Sequence, residues 1–140
     1  ETTGYASPAR FAAFMEHIDL FLFDFKHADR EAHFAGTGVY NDVILENLQQ
    51  LLRAGKPVIA RIPVIPRFNT SLAAAKTMAA YLRQAGVREV HLLPFHQFGQ
   101  NKYTQLGIPY EMETDKQLHP EVLGNYQKIF LDEGLNCTFH

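Results

Sequence analysis

Residues 19–27 read DLFLFDFKH, an apolar run that ends in a carboxylate and an ammonium two positions apart, Asp24 and Lys26. The run does not alternate with polar residues, and PVIARI (57–62), VHLLPF (90–95) and CTF (137–139) share its character. Strands that read this way are buried on both faces, which is the pattern of a parallel sheet covered by helices. A charged pair at the end of such a strand therefore needs an explanation beyond packing.

Between these runs the apolar residues recur at three- and four-residue spacing, as on one face of a helix. A first helix starts at about Pro8 with Ser7 as N-cap, and buries Phe11, Phe14, Met15 and Ile18. A second starts near Asn41, with Asp42 in its first turn, aligns Ile44, Leu48, Leu51 and Leu52, and stops at Gly55. The third runs from about Ser71 to Gly86 through Ala74, Met78, Tyr81, Leu82 and Ala85. The fourth follows Pro120, carries Val122, Tyr126, Ile129 and Phe130, and ends at Gly134. Helix-ending glycines sit within a few residues of the next strand, as short αβ loops prefer. An irregular, polar stretch is expected at about 96–118. The fold class is thus α/β, with about four parallel β/α units. A complete eight-stranded barrel takes ~250 residues, so this pattern predicts either part of a barrel or a small doubly wound sheet.

The chain has 140 residues, 46% of them hydrophobic, and a formal net charge of −2, enough for one core. Near-neutral charge without long runs of one sign removes the electrostatic case for nucleic acid or an anionic membrane surface. No apolar run approaches the ~18 residues of a membrane span, and the cytoplasm is the expected compartment. The single cysteine, Cys137, forms no internal disulfide and leaves too few thiolates for a zinc or iron–sulfur site bound by this chain alone. It reads as a small core residue. Because the sequence opens at Glu1, inside what resembles a motif, it is expected to be a piece of a longer protein.

In a parallel β/α fold, functional groups gather where strands end and βα loops begin. Glu1 and Thr2 precede TGYASP, Asp24 and Lys26 end the next strand, Arg61 ends the third and His96 follows LLPF. Asp24 and Lys26 share a face if the strand persists. Salt bridges from Asp24 to Lys26 or to Arg61 are the structural explanation, since buried charges are almost always paired. Five such groups on one rim point further, to a ligand. Two carboxylates with a threonine suit an ammonium or a hard cation, Lys26 and Arg61 suit a carboxylate, and His96 suits a heterocycle or ribose. The other histidines, at 17, 27, 33, 91, 119 and 140, lack zinc-binding spacing and read as surface or cap residues. No phosphate loop, dinucleotide fingerprint or nucleophile elbow occurs. The aromatics of FLFDF read as core.

The order of ETTGYAS, IDLFLFDFKHAD, GTGVYNDVILENLQQLLRAGKPVIARIPVIPRFN and VHLLPFHQFGQNKYTQLG closely resembles the C-terminal half of the glycyl-radical-enzyme activating enzymes. These are radical S-adenosylmethionine oxidoreductases, the pyruvate formate-lyase activating enzyme among them. The resemblance implies the C-terminal part of a partial (β/α)6 barrel that holds S-adenosylmethionine and a [4Fe–4S] cluster. It also implies a 5′-deoxyadenosyl radical that abstracts hydrogen from a backbone glycine of a pyruvate formate-lyase-like partner, with flavodoxin or ferredoxin as electron donor. Carried over by motif, Asp24-Phe25-Lys26 is the D-x-K segment that contacts S-adenosylmethionine, and His96 of LPFH lies beside the adenosine. Glu1 and Thr2 lie near the cofactor's amino-acid end, where Glu1 and Asp24 are implied to share a monovalent cation. Arg61 stands nearer the substrate peptide. Two features depart from the family. The C-x-x-x-C-x-x-C cluster motif and the GGEP segment are absent, so this chain by itself is not expected to cleave S-adenosylmethionine. Arg67 stands where relatives usually have glycine, so a left-handed turn there would be strained.

Two alternatives stand beside that reading. One is an aldolase-like barrel fragment in which Lys26 forms a Schiff base, its pKa lowered by Arg61. The other is a non-catalytic half-barrel binding module. Either way, a barrel section exposes strand edges that favour self-association.

Overall fold

A computed structural model of the chain describes residues 1–96, 105–107 and 117–140. Most of the irregular stretch expected at 96–118 lies outside the described residues. Along the rest run α1 (Pro8–Met15), β1 (Phe21–Asp24), α2 (Arg30–Thr37), α3 (Asp42–Arg53), β2 (Val58–Val64), α4 (Leu72–Ala85) and β3 (Glu89–Pro94). A 3-10 turn at Pro120–Leu123 then leads into α5 (Gly124–Asp132) and β4 (Asn136–Phe139). Among the described residues no helix is long and apolar enough to cross a membrane.

The four strands form one parallel sheet in the order β1-β2-β3-β4. That order decides between the two architectures left open above. Right-handed crossovers that always step in one direction place every helix on the same side of the sheet, whereas a doubly wound sheet must reverse its strand order. The fold is accordingly a section of a β/α barrel. Burial follows suit: Phe21, Phe23, Ala60, Ile62, Val64, Val90, Leu92 and Cys137 are buried beneath the helices. Their alternate neighbours, such as Leu22, Asp24, Ile59, Arg61 and His91, are half-buried on the opposite face. The expectation of a sheet covered on both faces is corrected here, because singly wound helices cover only one.

Local signals explain most of the helices. Ser71 accepts a hydrogen bond from Ala74 N (3.1 Å) at the start of α4, and Gly86 ends it at φ 99°. Ser7 sits at the N-cap of α1 but makes no side-chain cap bond. Phe14 is 61% exposed, against the expectation that it is buried, Val122, carried in the apolar pattern of the fourth helix, is 70% exposed, and Ile18 lies beyond α1 and only leans on the core. Helix α2 has no counterpart in the periodicity reading, since His33 is its one buried residue. Its caps are nonetheless of the usual residue types: Asp29 accepts from Ala32 N at 2.8 Å, and Gly38 closes the helix at φ 76°.

Strand β2 runs two residues past the expected end, through Pro63. Phe25 N donates to Arg61 O (2.8 Å), so the odd-numbered residues of β2 face β1. Pro63, two positions on, faces the same way at a point where β1 has ended, and its missing N–H is not needed there. Asn69, fully buried, takes over the pairing. Its Nδ2 donates to Lys26 O and to Pro63 O, each at 2.9 Å, and its Oδ1 accepts from Ile65 N at 2.7 Å. Tyr126 Oη donates to Asn69 O at 3.0 Å, which ties α5 to the same point.

The turn that Asn69 closes holds Arg67 at φ 62°. This left-handed conformation costs a residue with a Cβ roughly 1 kcal/mol, so the strain foreseen at this position is present. His27 and His33, expected at the surface or in caps, are instead buried, at 7% and 3% exposure. His27 Nδ1 accepts from Asp29 N (3.0 Å) and its ring lies against Phe68. Desolvation lowers the His27 pKa, with Asp29 opposing and His33 reinforcing the shift.

These buried polar groups have measurable consequences. Asn69→Ala strands two partly buried carbonyls and one N–H and should destabilise the protein by about 2–4 kcal/mol; an unchanged urea midpoint would rule out the clamp. For His27, the unfolded histidine protonates near 6.5 and the folded one lower, so between those values the unfolded chain binds more protons. Stability should therefore fall as pH drops below about 6.5 and level off below the folded pKa. Thermal unfolding at pH 7 and 5.5 should show a smaller loss in His27→Gln than in the wild type, and equal losses would exclude His27 as the cause.

Candidate functional site

The segment before α1 behaves as a short extra strand. Thr2 bridges Phe23 in parallel fashion, with Thr2 N donating to Leu22 O and Asp24 N to Thr2 O, both at 2.9 Å. Gly4, at φ 71°, then passes so close over the Phe23 ring that any Cβ would collide with it. Asn47 of α3 pins this passage by donating from Nδ2 to Gly4 O (2.8 Å) and Ala6 O (2.9 Å). Glu1 is thereby brought to the edge of the sheet, beside the end of β1.

On the open face the parallel register sets Asp24 opposite Arg61. Arg61 Nη1 lies 2.7 Å from Glu1 Oε2 and its Nε 4.0 Å from Asp24 Oδ1, while Lys26 Nζ lies 3.5 Å from Asp24 Oδ2. Both salt bridges named as the structural explanation, Asp24 with Lys26 and Asp24 with Arg61, are present, and Glu1 joins them. Arg61 is mid-strand rather than terminal, because β2 continues to Val64. Two carboxylates and two cations leave the cluster formally neutral. It is not satisfied, however. Asp24 Oδ1 is buried without a hydrogen-bond partner, Arg61 Nε being too far away to donate. An unpaired buried acceptor costs about 1–3 kcal/mol, and a donor brought by a ligand would remove that cost.

Other expected site residues are placed differently. The Phe25 side chain is 1% exposed and stacks on Tyr81 (centroids 5.7 Å apart) on the helix side of the sheet, so it offers only backbone to the rim. Thr2 spends its Oγ1 on Gly4 N at 3.0 Å. His96 follows the end of β3, exposed, with Nδ1 accepting from Gln117 Nε2 at 2.7 Å. The histidine level with Asp24 and Arg61 is His91, which pairs with Arg61 in the register. His91 stacks on His140 at 3.6 Å and lies 3.1 Å from Glu89 Oε1. Sequence reasoning missed it, since only the strand register shows which residue of VHLLPF faces Arg61.

Asp24 and Lys26 also line a cleft of about 200 Å³ with Thr3, Tyr5 and His33. His33 Nδ1 is 2.8 Å from Val39 O, and a carbonyl only accepts, so Nδ1–H donates to it. Among the described residues no group of three or more His, Cys, Asp or Glu is arranged to hold a metal. Cys137 is buried and its thiol is pushed up to about 12, which keeps it neutral.

No family model matches the chain. Among curated proteins it is similar to the 4-hydroxyphenylacetate decarboxylase activating enzyme of Clostridioides difficile, at 38% identity over 98% of this chain and 44% of that protein. It is 37% identical to the (2S)-3-sulfopropanediol dehydratase activating enzyme of Klebsiella oxytoca, over 89% of this chain and 41% of the relative. The choline trimethylamine-lyase activating enzyme of Oleidesulfovibrio alaskensis matches at 37% over 84% of this chain and 39% of its own length. The chain thus spans less than half the length of these curated relatives. Among solved structures, a domain of the pyruvate-formate lyase-activating enzyme from Bacteroides vulgatus superposes with a TM-score of 0.78 at 26% identity, covering 99% of this chain and 78% of that domain. Likeness of this extent in both sequence and fold is homology, and the homologues of this chain are glycyl-radical-enzyme activating enzymes.

Proposed function

We propose that this chain is the C-terminal section of a radical S-adenosylmethionine activase and supplies cofactor and partner contacts to it. The reading is carried by the unsatisfied Asp24 Oδ1 at the centre of the Glu1–Arg61–Asp24–Lys26 cluster, in a chain whose relatives are activating enzymes.

The donor set fits the amino-acid end of S-adenosylmethionine. Asp24 accepts from its ammonium, and Lys26, 27% exposed in its ion pair, swings to its carboxylate. Arg61, in register with Asp24 but also reaching Glu1, serves the peptide side of the rim. His96 follows β3 on the same rim, where its ring meets the adenosine. Thr2 contributes the backbone that fixes β1. A monovalent cation at Glu1 and Asp24 gains nothing from the geometry, because Arg61 and Lys26 already neutralise those carboxylates. A [4Fe–4S] cluster does not fit this chain, whose one thiol is buried and neutral, so its ligands come from the N-terminal section. When bound, the cofactor and cluster supply radical hydrogen abstraction from a glycine of a pyruvate formate-lyase-like partner, driven by a flavodoxin- or ferredoxin-type electron donor. The Schiff-base alternative gains nothing from the geometry, since Arg61 is engaged with Glu1 and Asp24 rather than set beside Lys26.

In the full-length protein, Asp24→Asn should weaken S-adenosylmethionine binding at least tenfold, about 1.4 kcal/mol, with Lys26→Met acting in the same direction. Equilibrium titration with the cofactor measures both. Unchanged dissociation constants in both variants would refute the cofactor site.

A further inference from the structure

The strand register carries one polar row across the open face. Asp24 stands opposite Arg61, Arg61 opposite His91 and His91 opposite Thr138, on four adjacent strands about 4.8 Å apart. The cofactor contacts proposed above use the Asp24 end of this row and leave His91 without a role. Yet its ring is firmly held. Nε2 lies 3.1 Å from Glu89 Oε1, two positions back on the same face, and an ionised carboxylate only accepts, so Nε2–H donates to it. One face of the ring stacks on His140, with centroids 3.6 Å apart and planes 12° from parallel. Among the described residues Nδ1 has no hydrogen-bond partner, although only 14% of the side chain is exposed.

A carboxylate that fixes one nitrogen of an imidazole orients the other toward a second partner, and in the neutral ring that other nitrogen is an acceptor. Beside it on the row, Arg61 spends Nη1 on Glu1 at 2.7 Å and keeps further N–H donors. A guanidinium donor next to an imidazole acceptor is the complement of an extended peptide backbone, which offers one C=O and one N–H per residue. We propose that His91 is a further substrate-binding residue for the polypeptide whose glycine reacts, its Nδ1 accepting a backbone N–H of that segment while Arg61 donates to a neighbouring carbonyl. The proposal rests on the activase reading, which brings a polypeptide to this face; the residue and the atom follow from the row.

The test uses the full-length protein, loaded with its cluster and S-adenosylmethionine, and an array of blocked seven-residue peptides with glycine at the centre and varied flanks. The best-retained peptide is then remade with a methyl group on one backbone nitrogen at a time. In the wild type, methylation at one position should weaken retention at least fivefold, as the loss of one hydrogen bond implies. His91→Gln, whose amide reaches Glu89 in place of Nε2, should bind the unmethylated peptide at least fivefold more weakly and lose its sensitivity to that methyl group. His91→Asn, which sets an oxygen near the place of Nδ1, should keep part of both. A histidine that serves only to pair with Glu89 predicts the opposite order, with Gln the better substitute, and Tm measured on both variants separates lost binding from lost folding. That opposite order, a methyl sensitivity unchanged in His91→Gln, or no retention of any peptide by the wild type would each overturn the proposal. Cleavage of S-adenosylmethionine by the reduced wild type, measured without peptide, distinguishes the two readings. Cleavage alongside any of those results refutes the His91 contact alone, whereas no cleavage refutes the activase reading and the proposal with it.

Discussion

The rim of this sheet depends on one carboxamide. Where β1 stops, the backbone ladder no longer joins it to β2, and Asn69 holds the two chain ends together with two donated bonds and one accepted. Because the first of those bonds is to Lys26 O, the same residue sets the position of the D-x-K segment. Because the last is from Ile65 N, it also closes the turn that forces Arg67 into the left-handed region. The charged cluster and the strained turn at Arg67 are therefore two consequences of one satisfied polar network, anchored to α5 through Tyr126.

Above that clamp the electrostatics are incomplete. Glu1, Asp24, Lys26 and Arg61 pair well enough to be held at the rim, yet one Asp24 oxygen finds no donor. A cluster selected for stability alone would be better served by closing the 4.0 Å gap to Arg61 or by apolar residues of similar volume. Groups held in a neutral cluster with one acceptor unmet suit the capture of a zwitterion, whose ammonium and carboxylate can exchange with the internal pairs without leaving net charge behind.

Much of this is legible in the sequence. Among the described residues, apolar runs and helix periodicity mark the four strands of the sheet and four of the helices α1–α5, and the charged residues at 24, 26 and 61 stand out by their place in apolar strands. Helix α2 escapes because a helix with one buried residue has no apolar stripe to read. The misplacements have other causes. Phe14 lies at the margin of its helical face, and Val122 falls in the 3-10 turn, whose tighter period takes it off the stripe that the α-helical spacing predicts. His27 and His33 look polar in sequence but are buried by neighbours distant along the chain, Phe68 against His27 being the clearest case.

By itself, the sequence determined the class of fold, the family resemblance and the identity of the charged residues, because apolar spacing and ordered motifs are properties of the chain taken one segment at a time. Only the tertiary structure decided that the sheet is singly wound, with an open face, since strand order is a relation among segments. The same holds for the register that sets Asp24 against Arg61 and His91 level with both. It holds equally for the removal of Phe25 to the core: a strand points successive side chains to opposite faces, and which face is covered depends on where the helices pack.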